Sequence, residues 1–333
     1  MSILTYLLRG RLLLAAILSS APAWAIVVAG TDPSSAIVTY GQSVNGVNLS
    51  GVVMVTSSIG GCSGTLLMDG WTILTAGHCV TSSYGSPIAS NITVTFLGPS
   101  GTVSDTVSSV SVNPGYTGDS TQGDDLAVLK LHNAAPYFAT GYPLFDGAPT
   151  TAPDVVAGYG VSGTGLTGAN GSYGVLRAGE NAYATTGEIF GWSSTLLIGE
   201  FYKSGAPSTN ALWDSYGLDP NPYDAADEVD ISHGDSGGPS FYDGELIGVH
   251  DLGICLSSQD SPDTCSVPPS LNTSDNSYFG ELYGDVSVSA NADWIEAQEV
   301  PEPVSAVLLA FGLCAIAWAR RRPAGLFDVL RRY

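Results

Sequence analysis

The chain has 333 residues, 44% of them hydrophobic, enough to bury the core of one large domain or two small ones. It carries 31 acidic residues against 10 Lys and Arg, a net charge of −21 at pH 7 that repels nucleic acid and anionic lipid and so excludes a nucleic-acid partner. With 41 glycines and no sustained helical period in its interior, the bulk reads as all-β with many turns.

Residues 1–25 open with Arg9 and Arg11, continue through "LLLAAILSS" and end in "APAWA". A basic start, a short apolar centre and a small-x-small ending are the layout of a secretory signal peptide. Cleavage after Ala25 fits best and cleavage after Ala23 is second. A retained membrane helix would need a longer apolar run. Export would bring the protein into an oxidising compartment. Beyond the leader, "WTIL" (71–74) is an apolar strand that runs into "LTAGHC" (74–79), which carries His78. "NITVTF" (91–96) and "GTVSDTVSSVSV" (101–112) alternate apolar and polar residues, as half-buried strands do. "GDDLAVLKL" (123–131) sets Asp125 directly before an apolar strand and leaves Asp124 as its solvated neighbour. The acidic stretch "DSYGLDPNPYDAADEVD" (214–230) reads as a surface loop, because its spacing matches no calcium-loop pattern.

"HGDSGGPS" (233–240) packs three glycines and a proline around Ser236. A serine hydroxyl becomes a nucleophile only with a base in hydrogen-bond reach and a third group to orient the base. The chain has four histidines. His78, behind a buried strand and beside a cysteine, is the rigidly held one. His132 follows "LAVLKL" as a strand-end surface residue, His233 lies beside the serine, and His250 lies within the strand "LIGVHDL".

The C-terminal segment 299–333 holds an apolar run from Val304 to Ala319, expected to form a membrane helix, followed by Arg320, Arg321 and Arg322. The "VPEP" at 300–303, the apolar run and the arginine cluster, in that order, resemble the PEP-CTERM sorting signal of Gram-negative bacteria. The resemblance implies an exosortase-type enzyme in the inner membrane as a partner and onward passage to the cell surface. An ordinary C-terminal membrane anchor is the alternative. Between residues 26 and 319 only Lys130, Arg177 and Lys203 are basic, against 30 acidic residues, a net charge of about −27. Apart from Cys314 in the tail, four cysteines remain, Cys62, Cys79, Cys255 and Cys265. They allow three pairings; zinc ligation is weaker because no pair has the C-x-x-C spacing.

"GCSGTLL" (61–67), "LTAGHC" (74–79), "DLAVLKL" (125–131), "GYG" (158–160) and "GDSGGP" (234–239) occur in this order and resemble the motifs of trypsin- and chymotrypsin-like serine proteases. "IVVAG" (26–30) resembles the start of their mature chains and "ADWIEA" (292–297) their closing helix. The resemblance implies two antiparallel six-stranded β-barrels, residues 26–150 and 151–298, a short C-terminal helix and a cleft between the barrels. It implies hydrolysis of protein or peptide substrates through an acyl-enzyme, with no metal and no organic cofactor. Ser236 would be the nucleophile, His78 the base and then the acid, and Asp125 the group that orients His78. The Gly234 and Ser236 N–H groups would form the oxyanion hole, with Gly237 and Gly238 leaving room for substrate backbone. Asp230 and Gly253 would belong to the specificity pocket, Asp230 favouring Arg or Lys. Ile26, as a new amino terminus after signal-peptidase cleavage, would pair with Asp235. The disulfides implied are Cys62–Cys79 and Cys255–Cys265.

The chain also departs from the pattern. Ser232 stands where many relatives have a cysteine. Asp251, in "GVHDLG", stands where relatives usually have a serine touching the catalytic Asp. A second carboxylate beside Asp125 must be solvated, protonated or turned away. This residue favours an alternative reading, a catalytically impaired protease-fold protein of the cell surface or matrix. An exopolysaccharide-associated module, suggested by the sorting signal and the 16 tyrosines, is a further one.

Overall fold

The computed structural model describes residues 26–81, 88–148, 154–171, 173–201, 203, 217, 228–255, 270–271, 277–299, 313 and 316. Six strands close into a barrel in the order Val52–Ser57, Gly60–Leu66, Thr72–Thr75, Ala127–Leu131, Gly101–Val112 and Thr93–Gly98, the last pairing back onto the first. Alternation along these strands decides which side chains fill it. Val53 and Val55, Val94 and Phe96, and Ala127, Leu129 and Leu131 point inward and form one buried cluster. The intervening Val52, Leu74, Leu126 and Val128 are also buried, but in a different cluster that they share with Val155, Phe241, Val249, Leu282 and Val286 of the second half. Segments such as "LAVL" are therefore apolar at every position, because one face lines the barrel and the other packs against the second half.

The second half is a sheet in the order Arg177–Asn181, Asp154–Gly158, Pro239–Tyr242, Glu245–Cys255, Glu281–Ser287, Leu196–Phe201 and Tyr183–Thr186, with Ser270–Leu271 paired to Glu245–Cys255. Among the described residues no hydrogen-bonded ladder closes it, so the expectation of two closed six-stranded barrels is corrected to one closed barrel and a half-barrel. The two free ends of the sheet are successive strands separated by Ala182 alone. At this break the Asn181 side chain replaces ladder bonds. Its Nδ2 donates to the carbonyls of Glu200 (3.1 Å) and Val229 (2.8 Å), and its Oδ1 accepts the Ala182 N–H.

Val27–Val28 is buried between Gly163–Thr164, which it meets parallel, and Val229–Asp230, which it meets antiparallel with Val27 opposite Asp230. The short helix Ala292–Gln298 buries Ile295 in the shared core. Lys130 of the first barrel donates to the Gln298 carbonyl, and Asn113 Nδ2 donates to Asn291 Oδ1 (3.1 Å), so this helix and the turn before it are docked on the first barrel. Among the described residues no helix is long and apolar enough to cross a membrane. The expected membrane helix 304–319 lies outside the described residues, except Leu313 and Ile316, which are helical and exposed. The signal segment 1–25 also lies outside them.

Cys62 and Cys79 form a disulfide, as the resemblance implied. Cys255 ends its strand, and its pairing with Cys265 lies outside the described residues. Replacing Cys62 and Cys79 together by Ser should lower the unfolding free energy by about 2–5 kcal/mol, read from denaturant titrations. A double variant as stable as the parent would show that the crosslink contributes nothing.

Candidate active site

His78 lies in the 3₁₀ turn Gly77–Cys79, just past the strand Thr72–Thr75, so a buried strand and a disulfide fix its backbone. Its ring reaches Asp125, which ends the approach to the Ala127–Leu131 strand and is completely buried. The His78 N–H donates to Asp125 Oδ1 at 2.8 Å, and Nδ1 lies 2.7 Å from Oδ2. Ser120 Oγ also donates to Oδ2, at 3.1 Å. Burial pushes the Asp125 carboxyl up, but the charge of His78 and the two hydrogen bonds from His78 outweigh it and hold the group below its ordinary value. Asp125 therefore stays an anion, and as an acceptor it fixes the proton on Nδ1 and leaves Nε2 as a base. Asp124 is only half-buried and makes no such contact with His78.

Ser236 borders a cleft of about 340 Å³ together with His78, Gly234, Asp230 and Gly253. The loop that carries it is held from the first barrel. The Ser63 N–H donates to the Ser236 carbonyl (2.8 Å), and Ser63 Oγ donates to the Gly234 carbonyl (2.9 Å) while accepting the Tyr159 N–H. Gly234 has φ +95°, which a side chain would disfavour, and a Cβ there would sit 2.8 Å from the Tyr173 ring. Gly237 and Gly238 do not face the groove as expected. A Cβ on Gly237 would lie 2.1 Å from Thr75 Oγ1, and one on Gly238 2.6 Å from the Ala157 carbonyl. Their missing side chains let the loop press against the two strands behind it.

Asp235 is completely buried beneath this loop. Its Oδ1 accepts the Gly160 N–H (2.7 Å), and its Oδ2 accepts the N–H (2.9 Å) and hydroxyl (3.1 Å) of Ser232. Burial pushes it up to about 6, against these hydrogen bonds and the charge of His250. Ser232 thus serves as a hydrogen-bond partner of Asp235. Ile26 is fully buried among Val229, Ile231 and Tyr283; in the full chain it follows Ala25 in peptide linkage and has no ammonium to offer.

Of the other histidines, His132 is exposed, His233 is exposed at the cleft edge, and His250 is buried 2.9 Å from Asp285. Among the residues that line the cleft, sequence reasoning missed three polar ones, Ser120, Ser277 and Glu281. No motif marks them, and Glu281 reaches the site only because its strand pairs with Glu245–Cys255. It also gave no role to Ser63, whose contacts span more than 150 positions.

The sequence profile described as "Trypsin" matches residues 41–268, well over half of the chain. The chain belongs to the trypsin family. Its fold is similar to that of neuropsin, a serine protease expressed in the limbic system of mouse brain, with a TM-score of 0.50 and 15% identity over 74% of this chain and 93% of that one. No curated protein matches. Within the trypsin-family cleft, the contrast between the two adjacent acids makes a direct test. Asp125→Asn should lower kcat/KM on a peptide substrate by about 10⁴, by losing the acceptor that fixes the imidazole tautomer. Asp124→Asn should change it by less than about threefold. The reverse order would reassign the orienting acid.

Proposed function

We propose that the protein is an exported serine endopeptidase that hydrolyses peptide bonds through an acyl-enzyme. The observation that carries this reading is the buried Asp125 at 2.7 Å from His78 Nδ1, with Ser236 on the same cleft. In the proposed cycle His78 Nε2 takes the proton from Ser236 Oγ as it attacks the substrate carbonyl. His78 returns that proton to the leaving amine, and water then releases the acyl group by the same path. The Gly234 and Ser236 N–H groups stabilise the oxyanion, where losing one donor typically lowers the rate by about 100- to 1,000-fold.

The same proposal includes a preference for Arg or Lys before the cleaved bond. Asp230 and Glu281, both buried, border the cleft, and a basic side chain would meet their charge while an apolar one would not. Signal peptidase cleavage after Ala25 would free Ile26 as an ammonium, which would pair with Asp235 beneath the oxyanion loop. Supporting this, Val27 is already paired to Asp230, three residues from the loop. The exosortase-type partner and a cell-surface or extracellular destination, reached through an inner-membrane intermediate, rest on the C-terminal motif. A peptide panel with Arg, Lys, Phe or Leu before the scissile bond tests the specificity. Cleavage at least about tenfold faster after Arg or Lys is expected; faster cleavage after Phe or Leu would refute it. N-terminal sequencing of the exported, active protein should begin at Ile26, and any other start would remove the ion pair from the account.

A further inference from the structure

Asp251 lies on the strand Glu245–Cys255 with a side chain that has no solvent exposure, so it is not a solvated carboxylate. It is not turned away either. Its Oδ1 is 3.8 Å from His78 Nδ1, and one oxygen each from Asp125 and Asp251 and a ring nitrogen of His78 lie within 4.8 Å of one another. Among the described residues neither Asp251 oxygen has a hydrogen-bond partner at ordinary geometry, and Asp125 and Ser120 are among the polar groups beside it.

The surroundings do not compensate a second anion. From the turn Gly77–Cys79 of the first barrel comes His78, already held by Asp125. From the loop ahead of the Ala127–Leu131 strand come Ser120 and Tyr116; burial, then the charge of Asp125, pushes the Tyr116 phenol up, so it stays protonated. From the neighbouring strand comes Asp285, another acid, whose own partner is His250. Two buried carboxyl groups this close, facing one imidazole, retain a proton between them.

We propose that Asp251 is a positioning residue which carries that proton and points its O–H at the Asp125 carboxylate, the place where relatives put a serine hydroxyl. This rests on the protease reading of the site. The neutral acid steadies the acceptor that orients His78 and adds no charge. Burial first, then the charge of Asp125, holds the Asp251 carboxyl well above the usual carboxylate range. Ionisation as pH rises through that value would put a second negative charge beside the imidazole. Loss of the proton would also remove the O–H donor and set two carboxylates against each other, so Asp125 would no longer be steadied as the acceptor that orients His78, and activity would fall.

Infrared difference spectra of the protein at pH 7 against Asp251→Asn test the proton without requiring activity. The C=O stretch of a protonated buried carboxylic acid should be present in the parent and absent in the variant. No such band in the parent overturns the proposal. In kinetics, Asp251→Ala should lower kcat about tenfold through loss of positioning, Asp251→Asn should restore most of it through its N–H donor, and the alkaline limb should move to higher pH in Asp251→Asn. Equal losses in Ala and Asn, or an alkaline limb at the same pH in parent and Asn, also overturn it. The band together with no peptidase activity in the parent would uphold the Asp251 assignment while refuting the protease reading.

Discussion

The site depends on Ser63, which ties the two halves of the molecule at the point where they must work together. Its N–H and hydroxyl hold the carbonyls of Ser236 and Gly234, and one residue before it Cys62 is bonded to Cys79, next to His78. One strand of the first barrel therefore fixes the backbone on both sides of the cleft. These contacts are buried, so each unmade one would leave a polar group without water, at about 1–3 kcal/mol. The glycines of the serine loop follow from the same constraint. Positions 237 and 238 must approach Thr75 and Ala157 more closely than any side chain allows.

Charge is the second organising element. The chain is strongly acidic, yet several of its acids are buried around one cleft, and each is handled differently. Asp125 remains ionised through His78 and Ser120. Asp235 sits on the amide and hydroxyl donors of Gly160 and Ser232. Asp285 is met by His250, Tyr183 and Ser240. Asp251 has no comparable set of donors, which is why its environment leads to a different protonation state. Acidity that looks like simple surface solvation in the composition is, in part, the chemistry of the interior.

The parts of this architecture that were legible in the sequence are those coded over short spans. "LTAGHC" and "GDDLAVLKL" each combine a functional side chain with the apolar strand that holds it, so His78 and Asp125 could be read together with their support. Ser236 was legible through its glycines, although the reason given for Gly237 and Gly238 was incorrect. What needs pairing across the sheet was not legible. Ser63 and Glu281 carry no local signature, and neither does the end of the second sheet among the described residues, where the Asn181 side chain bonds the carbonyls of Glu200 and Val229. Asp251 was readable as a departure, but only its burial and its distance to His78 decide among solvation, rotation and protonation.

The most direct measurement is covalent labelling by a fluorophosphonate, with the modified residue mapped by mass spectrometry. A serine in water is inert to such a probe, and one activated by an oriented imidazole is not. The account predicts stoichiometric labelling at Ser236, reduced to background by His78→Ala in a variant that keeps the parent's circular dichroism. No labelling of the folded parent, or labelling that survives His78→Ala, would contradict it.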